Sequence, residues 1–245
     1  APSAIAPTGQ TYGAGWKLHD YETPKAMTTE DIARLLKDFE LAAVNAKAAG
    51  FDGVEIHSAN GYLLDQFLQD KTNQRTDGYG GSIENRIRLL GEVIESVAKV
   101  YPSDRIGVRL SPYGSFNDMA DSDPVALFTA VIQKLNGYHL SYVHMIEPRS
   151  TSAGGNDQVN VEAPITSEMF RAAYQGQFIS AGGYDQVMGE AVLEAGLADA
   201  VAYGRLYISN PDLAERFKQG ATLNAYNRAT FYGGAEVGYT DYPTL

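Results

Sequence analysis

The sequence predicts an α/β fold built on a parallel sheet, of the (β/α)8 TIM-barrel kind, and three observations carry that expectation. Short β-branched runs alternate with segments whose apolar residues recur at helical spacing, from Phe51 to Gln219. Such alternation implies right-handed βαβ crossovers and strands that all run one way. Chemistry-bearing residues stand where those runs stop: His57, Arg109, Gly182-Gly183 and Gly204-Arg205. In parallel α/β proteins the carboxyl ends of strands are where functional groups converge. Length is the third observation, since 245 residues lie close to the ~250 of an eight-unit barrel. Only five strands can be counted, however, so the barrel is about three units short.

Residues 1–27 hold three prolines, several glycines and little periodicity, which predicts an extended arm. Thr28-Thr-Glu-Asp31 has the form of a capping box, and Ile32, Leu35, Leu36, Phe39 and Ala42 then recur at helical spacing until Gly50 closes the helix. The run Phe51–His57 is the first strand. A second helix runs from about Ser82 to Tyr101 with Ile83, Ile87, Leu90, Ile94 and Val97 on one stripe, and it leads to the strand Arg105–Leu110. Asp123 as N-cap with Pro124 at the first helical position opens a helix that Gly137 ends after Asn136. Leu140–Ile146, Gln177–Ser180 and Ala198–Tyr203 complete the strands, separated by helices at Ser167–Tyr174 and Gln186–Ala195 and followed by one at Pro211–Gln219.

With 44% hydrophobic residues and no shift in composition, the chain is expected to form one domain over residues 1–245. Nineteen Lys+Arg against 30 Asp+Glu give a net charge of −11, which repels nucleic acid and anionic membranes. Without cysteine there is no disulfide, iron–sulfur cluster or cysteinyl flavin bond, so redox chemistry would need a bound organic cofactor. His19, His139 and His144 lack ligand-like spacing, so no metal site is expected. No apolar stretch is long enough for a bilayer and no leader pattern begins at Ala1, which predicts a soluble, cytoplasmic protein; the missing Met suggests processing or truncation.

The stretch Gly53-Val-Glu-Ile-His-Ser-Ala-Asn-Gly-Tyr62 is the most informative in the chain. His57 and Asn60 can donate hydrogen bonds to a substrate oxygen, and Tyr62 can give up a proton. A single such His or Tyr is more often a packing residue; three polar groups within six residues after a strand favour function, while naming no reaction. Arg109 closes its strand and is held near the strand end by the following Ser111-Pro112. Gly182-Gly183 and Gly204-Arg205 follow consecutive strands, and glycines there let backbone N–H groups approach a phosphate that an arginine can bind bidentately.

Together with Leu63–Leu68 and Thr72–Arg86, the His57–Tyr62 stretch resembles the old yellow enzyme family of flavin-dependent ene-reductases. Gly204-Arg205, Ile208–Leu213, Thr230–Tyr232 and Gly238–Pro243 are similar to that family's closing sequence, in its order, so the resemblance runs from Ala1 to Leu245. It implies a TIM barrel of which this chain supplies about strands four to eight, FMN as cofactor and NAD(P)H as co-substrate. The absent strands would carry a threonine or cysteine near flavin N5 and a glutamine facing the pyrimidine ring. It further implies that His57 and Asn60 bind the oxygen of an activated alkene, that Tyr62 protonates its α-carbon and that Tyr232 lines the pocket. Arg109 would contact N1 and O2 of the isoalloxazine. Gly182, Gly183, Gly204 and Arg205 would hold the phosphate, with Gly183 where family members often have asparagine. A second polypeptide bearing the absent strands is the expected partner. Two alternatives stand beside this: a structural half that is inert without such a partner, and a non-flavin phosphate-binding barrel. The latter would explain Gly204-Arg205 but neither the His-x-x-Asn-x-Tyr pattern nor the tail.

Overall fold

Five parallel strands in the order β3-β4-β5-β6-β7 form the sheet that organises the chain. The computed structural model describes residues 1–150, 157–160, 162–232 and 235–245. The strands are β3 (Val54–Ser58), β4 (Ile106–Leu110), β5 (Tyr142–Ile146), β6 (Phe178–Ala181) and β7 (Ala200–Ala202). Each neighbour follows its predecessor through a helical crossover, as the alternating sequence pattern requires.

The first 27 residues depart from expectation. They contain an antiparallel pair, β1 (Gln10–Tyr12) and β2 (Leu18–Asp20), closed by a hydrogen bond from the Gly13 amide to the Lys17 carbonyl at 2.9 Å. Both strands are three residues long and exposed throughout. Neither buries a face, so no alternation of apolar and polar residues marks them in the sequence.

Helix α1 (Thr29–Ala48) begins with the expected box: the Thr28 hydroxyl accepts the Asp31 amide at 3.1 Å, and the Asp31 carboxylate accepts the Thr28 amide at 3.0 Å. Ile32 is buried and Leu35, Leu36 and Phe39 pack against the core, but Ala42 faces solvent and Ala43 is the buried residue. Helix α2 (Leu63–Leu68) follows β3. The single helix expected after Ser82 is two, α3 (Ile83–Arg86) and α4 (Arg88–Ala98). Arg86 is buried at the junction, donating to the Gly81 and Leu68 carbonyls and to Asp121. After β4 comes α5 (Pro124–Asn136), capped by Asp123 through the Ala126 amide at 3.0 Å. The remaining helices are α6 (Thr166–Phe170), α7 (Gln186–Glu194), α8 (Arg205–Ser209) and α9 (Leu213–Gln219). No helix among the described residues is long and apolar enough to cross a membrane.

The two sheet faces differ in chemistry because side chains alternate along each strand. One face carries Ile56, Ile106, Val108, Leu110, Val143, Met145 and Phe178, all buried within a single core with Leu89, Val93 and Ile94 of α4 and Leu127, Phe128 and Val131 of α5. The other face carries the polar groups Glu55, His57, Arg109 and His144 on its first three strands, with Ile179, Ala181, Ala200 and Ala202 on the last two. Register places His57 opposite Arg109, Arg109 opposite His144, His144 opposite Ile179 and Ile179 opposite Ala200, a row running across all five strands. Among the described residues β3 and β7 each pair with one neighbour only. Near these two edges large apolar groups are exposed: Leu41, Val44 and Phe51 on the way into β3, and Val187 and Leu193 on α7, which leads into β7.

Candidate active site at the strand ends

β3 delivers His57 to the polar face, and the chain then makes a left-handed turn, with φ 55° at Asn60 and 68° at Gly61. Asparagine tolerates that conformation. Gly61 is required there a second time by space, since a Cβ would lie 2.5 Å from the Phe116 carbonyl oxygen. The turn brings the Tyr62 ring to 5.4 Å from the His57 ring, centroid to centroid, with the Tyr62 side chain half exposed. Burial lowers the His57 pKa, and the Arg109 charge lowers it further. At neutral pH the imidazole is therefore neutral and can act as a hydrogen-bond donor without being an acid.

Arg109 sits beside His57 on β4. Its Nε is buried and has no hydrogen-bond partner among the described residues. A guanidinium nitrogen left unpaired in the interior is costly unless something else accepts from it. Below this row the Glu55 carboxylate meets His144 Nδ1 at 2.9 Å. Burial alone would raise the Glu55 pKa, but the hydrogen bond and charge of His144, with the Arg109 charge, outweigh it and hold Glu55 below its ordinary value.

A cavity of about 520 Å³ opens at the ends of β4 to β7. Its wall includes Asn60, Arg109 and Tyr232, together with Gly182 and Gly183 after β6 and Gly204 and Arg205 after β7. His57 and Tyr62 stand beside this wall and are not part of it. Gly182 has φ 115°, and a Cβ there would stand 2.9 Å from the Glu147 carbonyl oxygen, so the loop can follow this path only with glycine. The Arg205 guanidinium, at the start of α8, holds the Asp157 carboxylate at 2.6 Å, and Arg228 donates to the same carboxylate. Arg228 first and Arg205 second keep Asp157 far below the usual carboxylate range. The Asp157 carboxylate thus engages Arg205, one of the residues expected to meet a phosphate.

Volume, glycine-lined wall, the paired Arg205 and Arg228, and an Arg109 Nε without a partner among the described residues fit a phosphorylated, electron-accepting cofactor such as FMN. Sequence reasoning missed Asp157 and Arg228, which lie 71 residues apart and whose pairing no local pattern announces. It also passed over Asp65, although a lone carboxylate among Leu63-Leu64 and Phe67-Leu68 was a readable signal.

A parallel sheet with polar groups gathered at one end, around a cavity lined by glycines and Arg205, defines an α/β protein with a candidate ligand site at its strand ends. Residues 1–224 match the NADH:flavin oxidoreductase / NADH oxidase family. The chain is 47% identical over 227 residues to 12-oxophytodienoate reductase 2 of Arabidopsis thaliana, covering 92% of this chain and 59% of that protein. It is 49% identical over 228 residues to 12-oxophytodienoate reductase 1 of Oryza sativa subsp. japonica, with 92% and 59% covered. Among solved structures, morphinone reductase in complex with tetrahydroNAD superposes with a TM-score of 0.89 at 43% identity, covering 100% of this chain and 66% of that one. The old yellow enzyme homologue from Zymomonas mobilis gives 0.93 at 38% identity, covering 100% and 68%. The chain belongs to the NADH:flavin oxidoreductase / NADH oxidase family, that of the old yellow enzymes. Family membership supports FMN as cofactor and NAD(P)H as the source of reducing equivalents. The chain spans 59% of the length of the two curated relatives named here.

Proposed function

We propose that this chain carries most of the active site of an FMN-dependent NAD(P)H oxidoreductase that reduces activated alkenes, meaning α,β-unsaturated carbonyl or nitro compounds. One observation carries the reading: His57, Asn60 and Tyr62 come together at the end of one strand, beside an Arg109 on the next strand whose buried Nε has no partner among the described residues. Arg109 would face the flavin ring, where its charge favours the reduced, anionic form. Gly182, Gly183, Gly204 and Arg205 would hold the phosphate. FMN, when bound, would supply the two-electron hydride chemistry of a ping-pong sequence from NAD(P)H to the alkene. His57 and Asn60 hold the substrate oxygen and draw electron density from the β-carbon; Tyr62 delivers a proton to the α-carbon; Tyr232 borders the substrate. The test is the colour and turnover of the purified chain. Flavin absorption and enone-dependent NAD(P)H oxidation support the reading, and a colourless protein that takes up no added FMN overturns it.

We also read the five strands as the fourth to eighth of an eight-stranded barrel. Supporting this are the single-sided pairing of β3 and β7 and the apolar side chains exposed near those edges, including Phe51 at 65% and Val187 at 75%. Such edges associate with whatever completes them. Three further βα units, supplied by a second polypeptide or by a longer chain, would close the barrel and add a wall to the cofactor site. Co-expression with such a segment should raise flavin content and activity. A monodisperse, yellow, fully active monomer of 26.5 kDa would refute the need for it.

A further inference from the structure

We infer that Asp65, acting in part through Ser111, is a positioning residue that aims Asn60 at the substrate oxygen and Tyr62 at the neighbouring α-carbon; the inference rests on the function proposed above. Asp65 lies on α2 and is 0% exposed, yet every donor that reaches it is neutral. Its Oδ2 accepts the Gly61 amide at 2.8 Å and the Ser111 hydroxyl at 3.3 Å, and its Oδ1 accepts Gln69 Nε2 at 2.8 Å. Ser111 Oγ in turn accepts the Asn60 amide at 2.7 Å. Two successive amides of the left-handed turn therefore converge on one carboxylate, one directly and one through a hydroxyl. Consecutive N–H groups in such a turn form a concave anion seat, and here the anion is built into the chain.

The arrangement ties together three elements of the site. Asn60 and Gly61 belong to the turn after β3, Asp65 to the helix that Tyr62 begins, and Ser111 to the segment two residues beyond Arg109. With the turn anchored to a buried charge, the directions in which Asn60 and Tyr62 leave the backbone are set before substrate arrives. Asp65 also stands three residues after the helix N-cap, where an acid commonly caps. A role in capping alone would stabilise α2 without affecting how the site grips an oxyanion. That difference separates the two roles.

The test uses the full chain loaded with FMN and three variants: Asp65→Leu, Asp65→Asn and Ser111→Ala. Asparagine keeps an acceptor for the Gly61 amide but loses the charge. We expect Asp65→Leu to weaken 4-chlorophenol, a mimic of the substrate oxygen read by its long-wavelength absorption with the flavin, by about tenfold or more, and to raise the KM for an enone in step. Asp65→Asn should recover most of that affinity, Ser111→Ala should fall between, and flavin content should stay unchanged in all three. Wild-type phenol affinity in the Asp65→Leu protein would overturn the inference, and so would an Asp65→Asn protein as impaired as Asp65→Leu. A second arm needs no flavin: amide hydrogen exchange should speed at both Asn60 and Gly61 in Asp65→Asn, and at Asn60 alone in Ser111→Ala. If the wild-type chain takes up no FMN, the proposed function falls while this arm still decides the clamp. If Asp65→Leu fails to fold, the other two variants decide it, and unchanged exchange in both would refute it.

Discussion

Asp65 should leave a signature in the pH dependence of stability, and its size follows from its surroundings. Burial raises its pKa from the ordinary 3.8 to about 6, against the opposing hydrogen bonds of Gln69, Gly61 and Ser111. Between those two values the native state holds a proton that the unfolded chain has released, so stability falls as pH rises through that window. The contribution is fully present below about pH 3.8, is lost as pH rises through about 6, and is constant above about 7. A shift of about two units corresponds to about 3 kcal/mol, taken as an upper bound for a buried carboxylate. Carboxylates held low, such as Asp77, Asp118 and Asp212, act in the opposite direction over more acidic pH. They are common to wild type and Asp65→Asn, so the difference between the two proteins isolates Asp65. The assay is urea unfolding of both at half-unit steps from pH 4 to 7.5. Wild type should lose ground to Asp65→Asn by roughly 1–3 kcal/mol across the range. A flat difference, or one that grows in favour of wild type with rising pH, would refute the reasoning.

Other perturbations probe the site at separate points. Tyr62→Phe should slow enone reduction about a hundredfold or more while flavin reduction by NAD(P)H stays close to wild type, because only the alkene step needs the proton; stopped-flow traces of the two half-reactions would show it, and equal slowing of both would remove Tyr62 from that role. Arg205→Ala should lower FMN retention, whereas Asp157→Asn should raise FMN affinity by about two- to fivefold, since an exposed ion pair of modest worth no longer competes for the arginine; flavin titration checks both. Gly61→Ala should cost at least about 2 kcal/mol in urea unfolding, from a left-handed alanine and from a Cβ meeting the Phe116 carbonyl.

How far the sequence revealed this molecule depended on the distance over which each feature is written. Helix α5 was legible from Asp123 to Asn136 because cap, proline and apolar stripe all lie within it. β4 was legible to within a residue because the buried Ile106, Val108 and Leu110 recur at every second position, the period of a strand. The hairpin of β1 and β2 was not, since its strands bury nothing, and α8 was not, since five residues are too few for helical periodicity. The site divides in the same way. His57, Asn60 and Tyr62 are neighbours in sequence because one strand end and one turn present all three, so a reader of the chain meets them together. What holds them lies elsewhere: Ser111 is 46 residues from Asp65, and Asp157 is 48 residues from Arg205. Those pairings exist only once β4 lies beside β3 and Asp157 lies beside Arg205 at the end of β7. A motif of reacting groups can therefore be read along the chain, whereas the buried charges that orient it follow from strand order. Substitutions at Asp65, Ser111 or Asp157 should accordingly change how well the site works while leaving its recognisable motif intact.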